Sequence, residues 1–171
     1  IFQNDILLNT LLVTAIVGTF APNFSVLVPV FAKEILNQQE AGFGFLMSFM
    51  GIGSFIGAVF IATMSKSGPK KFVMNVLPIA TGVFLMLTGY TNIYLLTGLC
   101  LAATGLFFVS FSSTANSNMQ LNTRDDFRGR VMSVYTLVFS GSTPIGNLYA
   151  GAITDRYGPR VGFAACGVAI I

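Results

Sequence analysis

Residues 43–64 read FGFLMSFMGIGSFIGAVFIATM, and the run holds no charged side chain. A helix needs roughly 20 apolar residues, within a range of about 17–25, to cross bilayer hydrocarbon. The run meets that length. It lacks the in-and-out alternation of a barrel strand. In lipid each backbone group needs a partner within its own segment, and a helix supplies one. The run therefore reads as a transmembrane helix. Composition extends the reading to the whole chain: hydrophobic residues make up 54% and charged residues 9%, with 17 Phe, no Trp and no His. Soluble domains carry about 25% charged residues, so this chain is too apolar for a water-covered surface.

Working outward, uncharged stretches of similar length cover 6–31, 72–89, 93–116 and 131–154, and another begins near residue 161 and runs to the last residue. The expectation is an all-α membrane protein, one domain over 1–171, with five complete transmembrane helices and the start of a sixth. The chain begins at Ile1, and its last apolar run stops at Ile171. We read it as a fragment of a longer protein.

Charge sits between the spans. The densest cluster lies in NTRDDFRGRVMSVY, residues 122–135, with Arg124, Asp125, Asp126, Arg128 and Arg130. Lys66, Lys70 and Lys71 lie between the second and third spans. Together these two connections hold six Lys and Arg, against three in the other connections. The positive-inside rule places them in the cytoplasm. Asp125 and Asp126 stand where carboxylates cap the amides of the fifth span, and Gly129 lets the chain turn. The arginines anchor the loop at phospholipid headgroups. A sharper expectation is an ionic latch from Arg128 or Arg130 to an acid on the other half of the longer protein.

The spans have distinct faces. In the fifth, Thr136, Ser140, Thr143, Asn147 and Thr154 fall on one helical side, and the fourth carries Thr97, Thr104, Ser112 and Asn116. Gly53 and Gly57 form a GxxxG pair, which lets two helices approach closely. Pro22, Pro29, Pro78 and Pro144 each remove a backbone donor inside a span. Pro22 is followed by Asn23, an amide at a helix break near mid-membrane. That combination points to a transport site, or equally to an interhelical hydrogen bond. Candidate cavity residues are Asn23, Asn116, Ser140 and Asn147, with Phe20, Phe24 and Phe139 as apolar wall. Pro144 and Gly146 join the glycines as packing positions. A cavity of amides, hydroxyls and rings without fixed charge suits an apolar or amphipathic molecule.

Other chemistries lack their residues. There is no phosphate loop, HExxH, paired-Cys or EF-hand pattern, so no cofactor and no metal is expected. Cys100 and Cys166 lie in apolar runs and read as buried thiols. The basic clusters flank membrane spans, which argues against nucleic acid. Enzymatic chemistry has no support.

Taken together, LVPVFAKEIL, a glycine-rich helix ending in MSKSGPKK, RDDFRGRVMSVY and GSTPIGNLYAGAITDRYGPRVGF resemble the carboxy-terminal half of the major facilitator superfamily. The branch they look most like holds bacterial drug, macrolide and siderophore exporters. The resemblance implies a twelve-helix transporter of the bacterial inner membrane. This chain would supply helices 7 to 12, the amino-terminal half would be its partner, and 7, 8, 10 and 11 would line the cavity. It also implies that Lys66, Gly68, Lys70 and Lys71 belong to a signature cytoplasmic loop, with Ser65 where that loop carries an acid. The functional expectation is a multidrug-type efflux antiporter of small amphipathic compounds, working by alternating access. No charge lies inside a span, so a proton-coupled exchanger would hold its titrating group elsewhere. An importer of a sugar or other solute, and a non-transporting membrane subunit, stay open as alternatives.

Overall fold

The computed structural model describes residues 5–38, 40–64 and 71–171. The described residues form helices α1 (Asp5–Phe20), α2 (Phe24–Glu34), α3 (Glu40–Met64), α4 (Lys71–Tyr90), α5 (Tyr94–Leu121), α6 (Arg128–Gly141), α7 (Thr143–Tyr157) and α8 (Pro159–Ile170). A single 3-10 turn, Asp125–Phe127, precedes α6.

Among the described residues, four stretches are long and apolar enough to cross a membrane: Leu7–Glu34, Glu40–Thr63, Val73–Tyr90 and Tyr94–Leu121. The expected fifth span is two helices instead of one, α6 and α7, with the break at Ser142. Pro144 explains it, because a proline at the start of α7 has no amide to offer the Ser140 carbonyl. The first span is likewise two helices, parted at Ala21–Asn23 around Pro22. Pro29 and Pro78 act differently, since α2 and α4 run through them.

Successive spans run antiparallel. Tyr94 at the start of α5 donates its hydroxyl to the Gly42 carbonyl at the start of α3, 2.7 Å away. Arg160 at the start of α8 hydrogen-bonds Asn92 in the α4–α5 turn. Lys33, Asn92 and Arg160 thus mark one end of the bundle, and Arg124–Arg130 mark the other.

Glycine sets the closest packing. A Cβ on Gly53 would overlap the Ala102 carbonyl, and one on Gly57 would overlap that of Leu106. Gly105 answers from α5, lying directly on the Met50 carbonyl. The α3 and α5 backbones therefore touch, which lets dispersion and weak Cα–H contacts act along the whole seam. Ser110 adds a hydroxyl hydrogen bond to the Gly57 carbonyl at 3.3 Å. Gly82 and Gly167 make a second close approach between α4 and α8. Away from these seams the surface is apolar: Phe45, Phe55, Leu137 and Leu148 are all exposed, as lipid-facing side chains are.

Many hydroxyls that look functional in the sequence serve their own helix. Thr97 donates to the Ile93 carbonyl at 3.0 Å and Thr104 to Cys100 at 2.9 Å. This back-bonding lets a buried hydroxyl satisfy itself four residues upstream. Half of the expected fourth-span stripe is therefore local structure.

Candidate transport surface at two crossing helix breaks

The two breaks meet. Pro22 has no N–H, so the Gly18 carbonyl loses its usual helical partner. The Thr143 hydroxyl, just past the other break, lies 3.4 Å from that carbonyl and 3.3 Å from the Phe139 carbonyl of its own span. One hydroxyl proton serves one of these acceptors at a time. Gly146 lies against the Thr19 carbonyl and Asn23 Oδ1 so closely that a Cβ would overlap the former. Here two interrupted spans cross backbone to backbone.

Asn23 is wholly buried at this crossing. Its Nδ2 donates to Cys166 Sγ on α8 at 3.5 Å, and Oδ1 has no partner among the described residues. The side chain faces α7 and α8 and has no exposed surface. Asn147, one residue past Gly146, is half-buried, and its Oδ1 also lacks a partner among the described residues.

A row of aromatic rings borders the crossing. Phe24 meets Phe108 edge-on, at 6.1 Å and 74°. Phe108 and Phe139 lie 6.2 Å apart at 15°, and Phe139 and Tyr135 lie 6.0 Å apart at 6°. The Tyr135 hydroxyl donates to the Ser112 carbonyl of α5 at 3.4 Å. Phe20 pairs separately with Tyr149 on α7, at 5.3 Å and 77°. Ser140, next to Phe139, is exposed. An interrupted, partly polar crossing thus lies beside a row of rings without fixed charge.

A scan of family models decides the relationship: the Major Facilitator Superfamily model matches residues 10–171. The chain belongs to the major facilitator superfamily. It is thus a multi-pass membrane protein of a transporter family, not an enzyme. The chain is 26% identical over 156 residues to the multidrug efflux pump Tap of Mycobacterium tuberculosis, covering 91% of this chain and 37% of that protein. Tap of Mycolicibacterium fortuitum is 26% identical over 167 residues, covering 96% and 40% respectively. The staphyloferrin A transporter of Staphylococcus aureus is 24% identical over 149 residues, covering 87% and 37%. The chain therefore spans well under half the length of these relatives. No solved structure matches it.

Within this superfamily chain, the expected site residues divide. Phe20, Phe24, Phe139, Ser140, Asn147 and the buried Asn23 cluster around the two breaks. Asn116 lies two turns along α5 from Phe108, where it accepts a hydrogen bond from Gln120 Nε2 at 2.5 Å. The fifth-span stripe does not stay on one face. Thr136 and Ser140 are exposed on α6, whereas Thr154 is buried on α7 against Gly162. The helix break between them resets the phase.

Sequence reasoning missed several residues. Phe108 sits among apolar neighbours, and spacing alone does not mark it. Tyr135 and Tyr149 lie off the polar stripe. Asn118 is the buried polar bridge between α1 and α5: its Nδ2 donates to Thr10 Oγ1 at 3.0 Å, and Asn122 donates to its Oδ1 at 2.7 Å.

The charged connection also differs from expectation. Asp125 and Asp126 cap no helix amide. Asp125 instead pairs with Arg128 at 2.7 Å, and Asp126 with Arg124 at 3.7 Å. Both pairs are exposed, where ion pairs contribute about 0–1 kcal/mol. Phe127 is the residue that precedes α6, with no side-chain cap. Gly129 makes no turn, because it lies inside the first turn of α6. Arg130 is exposed and has no ion-pair partner among the described residues. Lys66, Gly68 and Lys70, with Ser65, lie outside the described residues, as does the side chain of Lys71. At the opposite end of the bundle, Pro29, Lys33, Gln38, Glu40 and Phe43 line an open depression of about 680 Å³. It is separate from the aromatic row.

Proposed function

We propose that this chain is the carboxy-terminal half of a twelve-helix secondary exporter that moves small amphipathic or hydrophobic compounds by alternating access. The observation that carries the reading is the crossing of two broken spans beside a charge-free aromatic row. Broken helices at mid-membrane build solute sites in secondary transporters. Phe24, Phe108 and Phe139 form the apolar wall, and Ser140, Asn147 and Asn116 supply the polar contacts. Asn23 acts from behind, holding the break in shape through α8. The name of one relative, a multidrug efflux pump, supports cargo of this kind.

In this reading the Arg124–Arg130 end faces the cytoplasm, following the charge count. Energy comes from exchange with protons. The helices carry acidic side chains only near their ends, at Asp5, Glu34, Glu40 and Asp155, so the titrating group belongs to the amino-terminal half. Arg128 is already engaged by Asp125, so a latch across the cytoplasmic gate falls to Arg130.

The test is ethidium accumulation in an efflux-deficient bacterium expressing the complete transporter. Accumulation is expected to fall several-fold below the empty-vector level, and to return to it with Asn147→Ala or Phe139→Ala at equal expression. Equal or higher accumulation with the unaltered gene would overturn export. Full activity of both variants would overturn the site.

A further inference from the structure

The open depression between the end of α2 and the start of α3 holds charges that the fold leaves unused. Lys33 and Glu40 both line it, and both are exposed. Their signs are opposite, yet neither forms an ion pair among the described residues. They therefore stand beyond ion-pair distance of each other. Each suits the dipole of its own helix end, a role that leaves its hydrogen-bonding capacity free. Gln38 lines the same space. Its Nε2 donates to the Leu36 carbonyl at 3.3 Å, which leaves Oε1 as an acceptor. Half-buried Pro29 and Phe43 add apolar lining.

Two further features say where this space lies and what continues from it. The Tyr94 hydroxyl reaches the Gly42 carbonyl beside it, and Tyr90 and Tyr157, at the same end of the bundle, are exposed. Exposed tyrosines at span ends sit at the headgroup level of a bilayer. From the depression a row of small residues runs along α3: Ala41, Gly44, Ser48 and Gly51 fall on one side and are all exposed. A Cβ on Gly44 or Gly51 would meet nothing within 4 Å. The Ser48 hydroxyl is spent on the Gly44 carbonyl at 2.9 Å, so the row is apolar in effect. Exposed Phe45 and Ile52 border it, and exposed Phe55 closes it. Its ten-residue length is about 15 Å at the helical rise.

We propose that the depression binds a zwitterionic phospholipid whose headgroup carries a primary ammonium, with one acyl chain along the small-residue row of α3. Lys33 takes the phosphate. Glu40 and the Gln38 Oε1 take the ammonium, which has three N–H groups to donate. A choline headgroup has none and forfeits those hydrogen bonds. An anionic headgroup without an amine meets Lys33 but brings nothing to Glu40. The depression carries the argument, through two unpaired charges of opposite sign; the row gives the chain its direction. A lipid held this way joins α2 to α3 at the end of the bundle away from Arg124–Arg130.

The experiment uses the complete transporter, purified in detergent, with bound lipid counted by native mass spectrometry. The probes are short-chain phosphatidylethanolamine, phosphatidylcholine and phosphatidylglycerol. The unaltered protein is expected to bind phosphatidylethanolamine about two- to fivefold more tightly than phosphatidylcholine, the upper part of the range for an exposed charge pair. Glu40→Gln should abolish that preference and leave phosphatidylglycerol binding unchanged. Lys33→Gln should weaken phosphatidylethanolamine and phosphatidylglycerol together. Gly44→Leu, which fills the row without meeting the rest of the chain, should weaken all three. Arg160→Gln, at the same end but outside the depression, is the control and should keep the preference. Equal binding of phosphatidylethanolamine and phosphatidylcholine by the unaltered protein would overturn the proposal. So would a preference that survives Glu40→Gln, or no bound lipid at all, as when the other half of the transporter covers the depression. Equal competition by glycerophosphoethanolamine, the headgroup without chains, would make the ligand a soluble zwitterion and overturn the lipid assignment. The readout is binding, so the site can stand if ethidium export fails, and fall if it succeeds.

Discussion

The α3–α5 pair and the crossing of α1–α2 with α6–α7 solve one problem in two ways. Both bring helix backbones into contact within a membrane, where apolar burial supplies little drive between helices. The α3 and α5 helices are unbroken, and glycine at Gly53, Gly57 and Gly105 lets carbonyls lie directly on the facing helix. At the crossing, both spans are interrupted, and contact depends on Gly146, the Thr143 hydroxyl and the buried Asn23 amide. The seam has no freed backbone group to satisfy. The crossing frees two carbonyls, those of Gly18 and Ser140, and the first lies 3.4 Å from the Thr143 hydroxyl. We expect a seam of the first kind to resist change and a junction of the second kind to tolerate it. That contrast suits a scaffold beside a working surface.

The contrast breaks most sharply at Gly53. Gly53→Val forces a branched side chain into the Ala102 carbonyl, and overpacking of this kind costs about 1–3 kcal/mol or more. Loss of folded protein from the membrane is expected, read as yield and monodispersity in detergent. Normal yield would mean that α3 and α5 can part without penalty.

Gly146→Ala comes next, with an expected cost of about 1–3 kcal/mol, because the methyl meets the Thr19 carbonyl. The prediction is that the protein still inserts, since a junction can shift where a seam cannot, but that ethidium efflux drops several-fold. Efflux and thermal midpoint measured on one preparation would check this. Unaltered values for both would show that the crossing is looser than its geometry.

Thr143→Val removes the shared hydroxyl and keeps the side-chain shape. Interhelical hydrogen bonds in membranes average about 0.6 kcal/mol, so the thermal midpoint should fall by only a few degrees. The smallest effect belongs to Asp125→Asn. Its exposed pair with Arg128 contributes about 0–1 kcal/mol. Stability is expected to stay unchanged within error, with any difference vanishing at high salt.

How much of this was legible in the sequence depends on what each residue had to disclose. Uncharged runs disclosed the membrane helices, because lipid leaves a chain few alternatives. Pro22 and Pro144 disclosed the breaks, but Pro29 and Pro78 carry the same signal inside continuous helices. At the break around Pro22, a second helix places a hydroxyl 3.4 Å from the freed Gly18 carbonyl. Proline alone cannot announce that, because the hydroxyl lies 125 residues away. Asn116 and Asn118 show the limit at finer scale. Two residues apart on α5, they point in nearly opposite directions, and Asn118 is the one that bridges to α1. The sequence carries the period of a face but not which neighbour it meets. Thr97 and Thr104 show the remaining ambiguity, since a hydroxyl in a span looks the same whether it waits for a solute or bonds its own helix.

The glycine seam also has a place in the order of synthesis. α3 is made before α5, and its Gly53–Gly57 edge finds its partner once Leu121 has been added. The crossing of the broken spans needs Thr143 and Gly146, and its Cys166 contact comes later still. A chain built amino end first therefore completes its stiff pair early and its pliable one last. The interrupted junction is thus set into a frame whose glycine seam is already in place.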